Sequence, residues 1–224
     1  MRTDQRQVLP LYVVADESGS MASVVDEVNT GLVSVHRGLF AEPMAAAKIR
    51  MSILGFADRP VLYTRLADFR RTDRLPKLSA KGSTRYGAVF AELLRLIPAD
   101  ILTLQAEGYC VHRPTVFFLT DGRPKDQGWQ EIHARLVDRV AFPQGPNIIV
   151  CGIGAADAPT ILAVASHPTF GFVSVPGAEV GAQIANVFAA LTRTVVVTGR
   201  SMDSGRTDVT VPQPEGFQLA IDVI

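Results

Sequence analysis

A short apolar run, a polar turn and an amphipathic helical pattern follow one another repeatedly along this chain. Residues 8–15 (VLPLYVVA) are apolar, β-branched and aromatic, and they stop at Asp16-Glu17-Ser18-Gly19-Ser20, a cluster of turn formers; this reads as a buried strand. Val24, Val25, Val28, Leu32, Val35 and Leu39 then recur at helical spacing, with Ser20 or Ser23 able to cap the helix start. Residues 49–56 and 60–66 read as strands, with a gap at 57–59 short enough for a hairpin. A polar segment over 67–85 leads to a helix at Tyr86–Ile97, which Pro98 should close. Thr115–Leu119 and 147–153 read as further strands, followed by helical spacing over 129–140 and Pro159–Ala165. Phe170–Val175 reads as one more strand, and Ala178–Leu191 as the last helix.

Strands that alternate with helices fold most simply as an α/β doubly wound, mostly parallel sheet, with right-handed crossovers placing helices on both faces. The 57–59 hairpin adds one antiparallel edge strand. From Thr198 the composition turns polar and rich in Gly and Pro before a final strand-like FQLAIDVI. The expected organisation is therefore a domain over 8–197 and an extended C-terminal tail over 198–224.

In such sheets ligands gather beyond the carboxyl ends of the strands. Asp16, Thr84 and Asp121 each follow a strand or open a helix there. Hard divalent cations prefer oxygen donors, typically one or two carboxylates completed by hydroxyls and water. In a turn leaving a strand, alternate residues point the same way, so Asp16, Ser18 and Ser20 can converge while Glu17 points elsewhere. Thr84 and Asp121 can complete the set directly or through water. A helix cap would use the same residue types at 16–20; it is the addition of Thr84 and Asp121 that favours a metal.

Asp16-Glu17-Ser18-Gly19-Ser20, Gly82-Ser83-Thr84 and Thr120-Asp121-Gly122 resemble, in order and context, the D-x-S-x-S, T and D elements of von Willebrand factor A (VWA) domains. The resemblance spans about residues 8–195. It implies a Rossmann-like sandwich whose metal-ion-dependent adhesion site (MIDAS) holds Mg²⁺ or Mn²⁺ through Asp16, Ser18, Ser20, Thr84 and Asp121, and engages an acidic residue of a protein ligand. Ser83 departs from the pattern, which often has Gly before the Thr. The stretch Phe118–Pro124 with Trp129, and the opening Leu9–Val14, are similar to the bacterial tellurium-resistance VWA proteins of the TerY type. That likeness implies an intracellular protein beside a protein kinase or phosphatase in stress or metal-resistance signalling.

Seven basic side chains between Arg65 and Arg85 face only Asp68 and Asp73. Lys81 and Arg85, with Arg123 from the next loop, form an expected positive rim that would steer an acidic partner to the metal. Over the whole chain charge is balanced, 22 basic against 22 acidic residues, so no global field favours nucleic acid. Two cysteines, Cys110 and Cys151, are too few for a disulfide framework and fit a reducing compartment. The polar start has no signal-peptide core, and apolar runs such as 11–15 and 116–119 fall short of the roughly 20 residues a bilayer needs. The expected location is the cytoplasm, with no membrane contact.

Gly152-Ile153-Gly154 half-resembles a dinucleotide fingerprint but has Asp157 where a third glycine belongs. Cys110-x-His112 lacks a second pair at zinc spacing. The expected function is a non-enzymatic, metal-dependent interaction module. Two alternatives use the same residues: a Mg²⁺ phosphohydrolase with Asp16 as nucleophile, in which Ser18 stands where a second carboxylate is wanted, and a VWA subunit of a chelatase or ATPase machine whose ATPase is another chain.

Overall fold

The computed structural model describes residues 6–177, 179–202 and 211–223. An eight-stranded sheet runs in the order β3-β2-β1-β5-β6-β7-β8, with β4 also paired to β1. Its strands are β1 (Gln7–Asp16), β2 (Ile49–Phe56), β3 (Pro60–Ala67), β4 (Cys110–Val111), β5 (Thr115–Thr120), β6 (Asn147–Gly152), β7 (Gly171–Ser174) and β8 (Phe217–Leu219). The helices are α1 (Val25–Phe40), α2 (Pro43–Ala46), α3 (Tyr86–Ala106), α4 (Trp129–Val137), α5 (Ala158–Val164) and α6 (Val180–Ser201). β1, β2, β5, β6 and β7 are parallel. β3 pairs antiparallel with β2, as the hairpin spacing predicts. β8 closes the opposite edge antiparallel to β7.

The strand periodicity sorts β1 between two cores. Leu11, Val13 and Ala15 pack with Val28, Leu32, Phe188 and Leu191 of α1 and α6. Tyr12 and Val14 pack on the other face with Phe90, Phe118 and Trp129. On the first face α1 and α6 approach closely: a Cβ at Gly31 would lie 2.0 Å from the Phe188 ring, and one at Gly38 would lie 2.5 Å from the Thr192 methyl. On the second face aromatic rings meet edge to face, Tyr86 with Phe56, Phe90, Phe118 and Trp129 at 5.2–5.8 Å.

Three boundaries differ from the sequence reading, each for a local reason. Pro98 does not close α3, which continues to Ala106. An interior proline forfeits one hydrogen bond and costs about 3 kcal/mol, and here Ile97, Ile101, Leu104 and the fully buried Asp100 hold the next turns on the sheet. Asp100 accepts from Tyr12 Oη (2.7 Å) and from Arg65 Nε (2.6 Å). α4 stops at Val137, because Asp138 Oδ1 takes the backbone N–H groups of Val140 and Ala141; Val140 is 93% exposed.

The third correction concerns the boundary at 197/198, which falls inside α6. The helix runs on to Ser201, since Val195, Thr198, Gly199 and Met202 are buried and a Cβ at Gly199 would meet the Ala45 backbone of α2 at 2.8 Å. Nor is the end of the chain wholly an extended tail: Phe217–Leu219 joins the sheet and 220–223 makes a 3-10 turn. Ala178, the expected first residue of the last helix, and 203–210 of the polar stretch lie outside the described residues. By length and apolarity α6 would suffice to cross a bilayer, and 44% of its most apolar window is buried within the protein.

The strand order reverses between β1 and β5: the chain leaves β1 toward β2 on one side and later returns to fill the other. The loops after β1 and β5 therefore face each other across a crevice at the carboxyl edge.

Candidate metal centre

Asp16 is the last residue of β1, and its carboxylate is 1% exposed. Oδ1 accepts from the Ser18 backbone N–H at 2.8 Å, which folds the turn back on itself. Oδ2 accepts from Thr120 Oγ1 at 2.7 Å. Ser18 Oγ and Ser20 Oγ lie 3.1 Å apart, and Ser20 Oγ donates to Asp121 Oδ1 at 2.8 Å. The loop after β1 is thus tied to the loop after β5 through its own hydroxyls. Ser20 sits in a 3-10 turn over Gly19–Ser23, so the site follows the strand without a regular helix cap between.

The third loop arrives by backbone tethers. Gly19 N donates to the Gly82 carbonyl (3.0 Å) and Lys81 N to the Glu17 carbonyl (2.5 Å). Gly82 has φ +73°, a left-handed conformation that suits glycine, and Ser83 N reaches Asp58 Oδ1 at 3.3 Å. Thr84 is buried, and its Oγ1 lies 3.6 Å from the point where Gly122 would carry a Cβ. Its carbonyl accepts from Lys125 N at 2.8 Å. Asp16, Ser18, Ser20, Thr84 and Asp121 are thereby gathered at one edge from three loops.

Glu17 points away, as alternation requires, and is equally buried. Its Oε1 accepts from Tyr63 Oη (2.8 Å) and from the Ser79 backbone (2.7 Å), and its Oε2 occupies the space that a Cβ on Gly55 would need. A carboxylate hidden behind the site thus anchors the loop that carries Thr84. Thr120 and Asp126 are two positioning residues that the spacing of apolar residues does not mark. Thr120 passes a hydrogen bond from Tyr86 Oη (3.2 Å) on to Asp16. Asp126 accepts from the Tyr86 and Gly87 backbone at 3.0 and 2.7 Å, satisfying donors at the start of α3 from a different loop. Their polarity beside a strand end was the available signal.

Burial pushes the Asp16 carboxyl up to about 6, against hydrogen bonds from Ser18 and Thr120 that favour its ionised form; the nearby Asp121 charge adds to the rise. Asp121 is raised for the same reason of burial. Asp16 draws its hydrogen bonds from neutral donors, so its negative charge has no cation among them. Among the described residues no three His, Cys, Asp or Glu side chains gather as a metal group. Two carboxylates with three hydroxyls are instead the oxygen-only set that a hard divalent cation fits.

The expected rim divides. Lys81 is exposed beside the site, whereas Arg85 lies 3.5 Å from Asp58 and Arg123 is paired to Asp157 at 2.6 Å. Asp157 also caps α5 through Thr160, so the glycine-containing turn over 152–157 ends in a helix cap. Arg70 and Arg71 are absent from this edge, because β3 runs antiparallel and carries them to the amino ends of β1 and β2, and Arg65 stops midway on Asp100. His112 bonds Gln7 (2.8 Å), Cys110 is exposed and Cys151 is buried, both unbridged.

Comparison by sequence matches no family pattern and no curated protein. Comparison by structure places the fold among VWA domains. The pilus adhesin SpaC of Lactobacillus rhamnosus GG, in its open conformation, aligns with a TM-score of 0.65 at 13% identity, covering 85% of this chain and 30% of that one. Proximal thread matrix protein 1 of the mussel byssus, in a structure with a zinc-occupied MIDAS motif, aligns at 0.55 and 14% identity over 85% and 46%. The vWF domain of the type V pilus tip protein Mfa5 from Porphyromonas gingivalis aligns at 0.56 and 10% identity over 92% and 99%. The chain spans less than half the length of the first two. At such identities the likeness is one of fold, a mostly parallel α/β sheet of VWA type with helices around it.

Proposed function

We propose that this chain is a divalent-metal-dependent protein-interaction module. Asp16, Ser18, Ser20, Thr84 and Asp121 would hold Mg²⁺ or Mn²⁺. The bound cation supplies a Lewis-acidic place for a carboxylate of an acidic protein partner. One observation carries this reading: oxygen donors from three separate loops converge at the topological switch point around a buried carboxylate with only neutral donors. Each loop is pinned before any ligand arrives, by Glu17, Thr120 and Asp126, so little ordering is left for binding to impose. Lys81, Arg85 and Arg123 would steer the partner.

The reading is non-enzymatic. Both Asp16 oxygens are engaged and the carboxylate is almost wholly buried, a poor disposition for a nucleophile that must meet a phosphorus atom. The motif likeness to TerY-type proteins supports a cytoplasmic role in bacterial stress or metal-resistance signalling, with a protein kinase or phosphatase as partner. Calorimetric titration of Mg²⁺ and Mn²⁺ into the wild type and Asp16→Ala, with and without a soluble carboxylate, tests the site. Saturable binding lost in the variant is expected; binding that survives in Asp16→Ala would refute it.

A further inference from the structure

A second charged site lies at the opposite end of the sheet. β1 contributes ten residues between the two edges, which puts them about 30 Å apart. There a cavity of about 360 Å³ is lined by Arg6, Lys48, Arg50, Arg70 and Arg71, with Asp68 as the one carboxylate in its wall among the described residues. In a chain with no net charge, this is a strong local excess of positive charge.

Two of the cations, Arg6 and Arg50, are held by neutral groups. Arg50 donates Nη1 to the Ala47 and Ile49 carbonyls (3.1 and 2.9 Å) and Nη2 to Tyr109 Oη (2.7 Å). These acceptors are neutral, so its direction is set while its full charge persists. Arg6 lies over the Tyr109 ring at 4.6 Å and Arg50 at 5.1 Å, an arrangement that a ring face supports electrostatically. Lys48 Nζ donates to the Gly199 carbonyl at 3.0 Å. Asp68 is taken by Arg70, which grips both its oxygens at 2.9 and 2.6 Å. Arg71 is 4.0 Å from the same carboxylate and 84% exposed. Hydrogen bonds from Arg70 and the charge of Arg50 hold the Asp68 carboxyl below its usual range.

We propose that this cavity binds a phosphate group, either as free phosphate or as a phosphomonoester on a larger ligand. Planar guanidinium forks match the oxygens of a phosphate and provide several donors to one dianion. The volume is within the range of small-ligand pockets. A nucleic-acid strand would need bases stacked on open aromatic faces, and Tyr109, the one ring lining the cavity among the described residues, already carries two guanidinium groups. Arg50 and Tyr109 orient the pocket, and Arg71 at its mouth meets the ligand.

The proposal does not depend on the metal site, and a titration in EDTA keeps the two apart. Inorganic phosphate, phenyl phosphate and succinate are added to the full chain at constant ionic strength, with NMR signals of the arginine Nε–H groups and the Tyr109 ring as readout. Saturable shifts at Arg50, Arg71 and Tyr109 are expected with both phosphates. Equal midpoints would assign free phosphate as sufficient; a tenfold tighter phenyl phosphate would assign a phosphorylated ligand. Arg71→Ala should weaken binding several-fold with the fold intact, Arg50→Gln should remove it, and Asp16→Ala should leave it unchanged. Absence of saturation, equal binding of succinate, or an Arg71→Ala titration matching the wild type would overturn the proposal.

Discussion

The two ends of the sheet hold opposite charge by the same device. At the carboxyl edge, Asp16 is almost wholly buried and bonded by neutral donors, and Asp121 accepts from a serine. At the amino edge, Arg50 is bonded by neutral acceptors, while Asp68 is taken by Arg70. At each end one central charged group, Asp16 or Arg50, is positioned by hydrogen bonds to neutral groups. A salt bridge would position them equally well but cancel the field that attracts a ligand. Elsewhere the protein does pair charges closely, at Arg65 with the buried Asp100 and at Arg123 with the Asp157 that caps α5.

The largest effect that separates the ends should come from Asp16→Ala, which is expected to lower Mg²⁺ affinity by more than about 100-fold and leave the amino edge untouched; calorimetry on both ligands measures this. Thr120→Val keeps the ligand set but removes the hydroxyl that orients Asp16. Metal affinity should fall about 10–100-fold, with a folded circular-dichroism spectrum retained. A loss no greater than twofold would show that Asp16 is positioned by Ser18 alone.

Acidity should affect the carboxyl edge selectively. Asp16 has a folded value of about 6 against an ordinary 3.8, so the metal-free folded state binds the extra proton between those values. The stability contributed by that proton is fully present below about 3.8 and is lost as pH rises through about 6. Metal affinity runs the other way, falling up to about tenfold per unit as pH drops below 6, since a proton and a cation compete for the same carboxylate. Denaturation midpoints with and without Mg²⁺ should therefore converge toward pH 5. Parallel curves at all pH values would exclude Asp16 from the metal's ligands.

A smaller effect is expected from Arg85→Ala with Arg123→Ala. Both side chains are exposed and paired, so partner association should slow only a few-fold, at low salt; stopped-flow measurements at two ionic strengths would reveal it.

The carboxyl edge was legible in the sequence because its donors lie next to strand ends. Asp16, Ser18 and Ser20 are local, Thr84 precedes a helix, and Asp121 follows the most apolar strand. The strand alternation likewise gave the parallel sheet and the β2–β3 hairpin. The amino edge was illegible, since Arg6, Lys48, Arg50, Arg70, Arg71 and Tyr109 are scattered in sequence and meet only through β-sheet register. The basic run from Arg65 to Arg85 read as one rim because a linear chain does not disclose that β3 carries its first half to the other end. Local rules also failed where tertiary burial overrode them, at Pro98 inside α3 and at Thr198 and Gly199 inside α6.

Gly31 and Phe188 bear on how α6 can move. The Phe188 ring fills the place of a missing Cβ on α1, and Gly31→Ala should cost about 1–3 kcal/mol by overpacking, measurable by urea denaturation. The ring sits in that notch as a ball sits in a detent. A displacement of α6 along α1 by a fraction of a turn would press the ring against α1, at a cost of the same overpacking kind. A helix seated in this way is held in register with α1 by shape as well as by apolar burial.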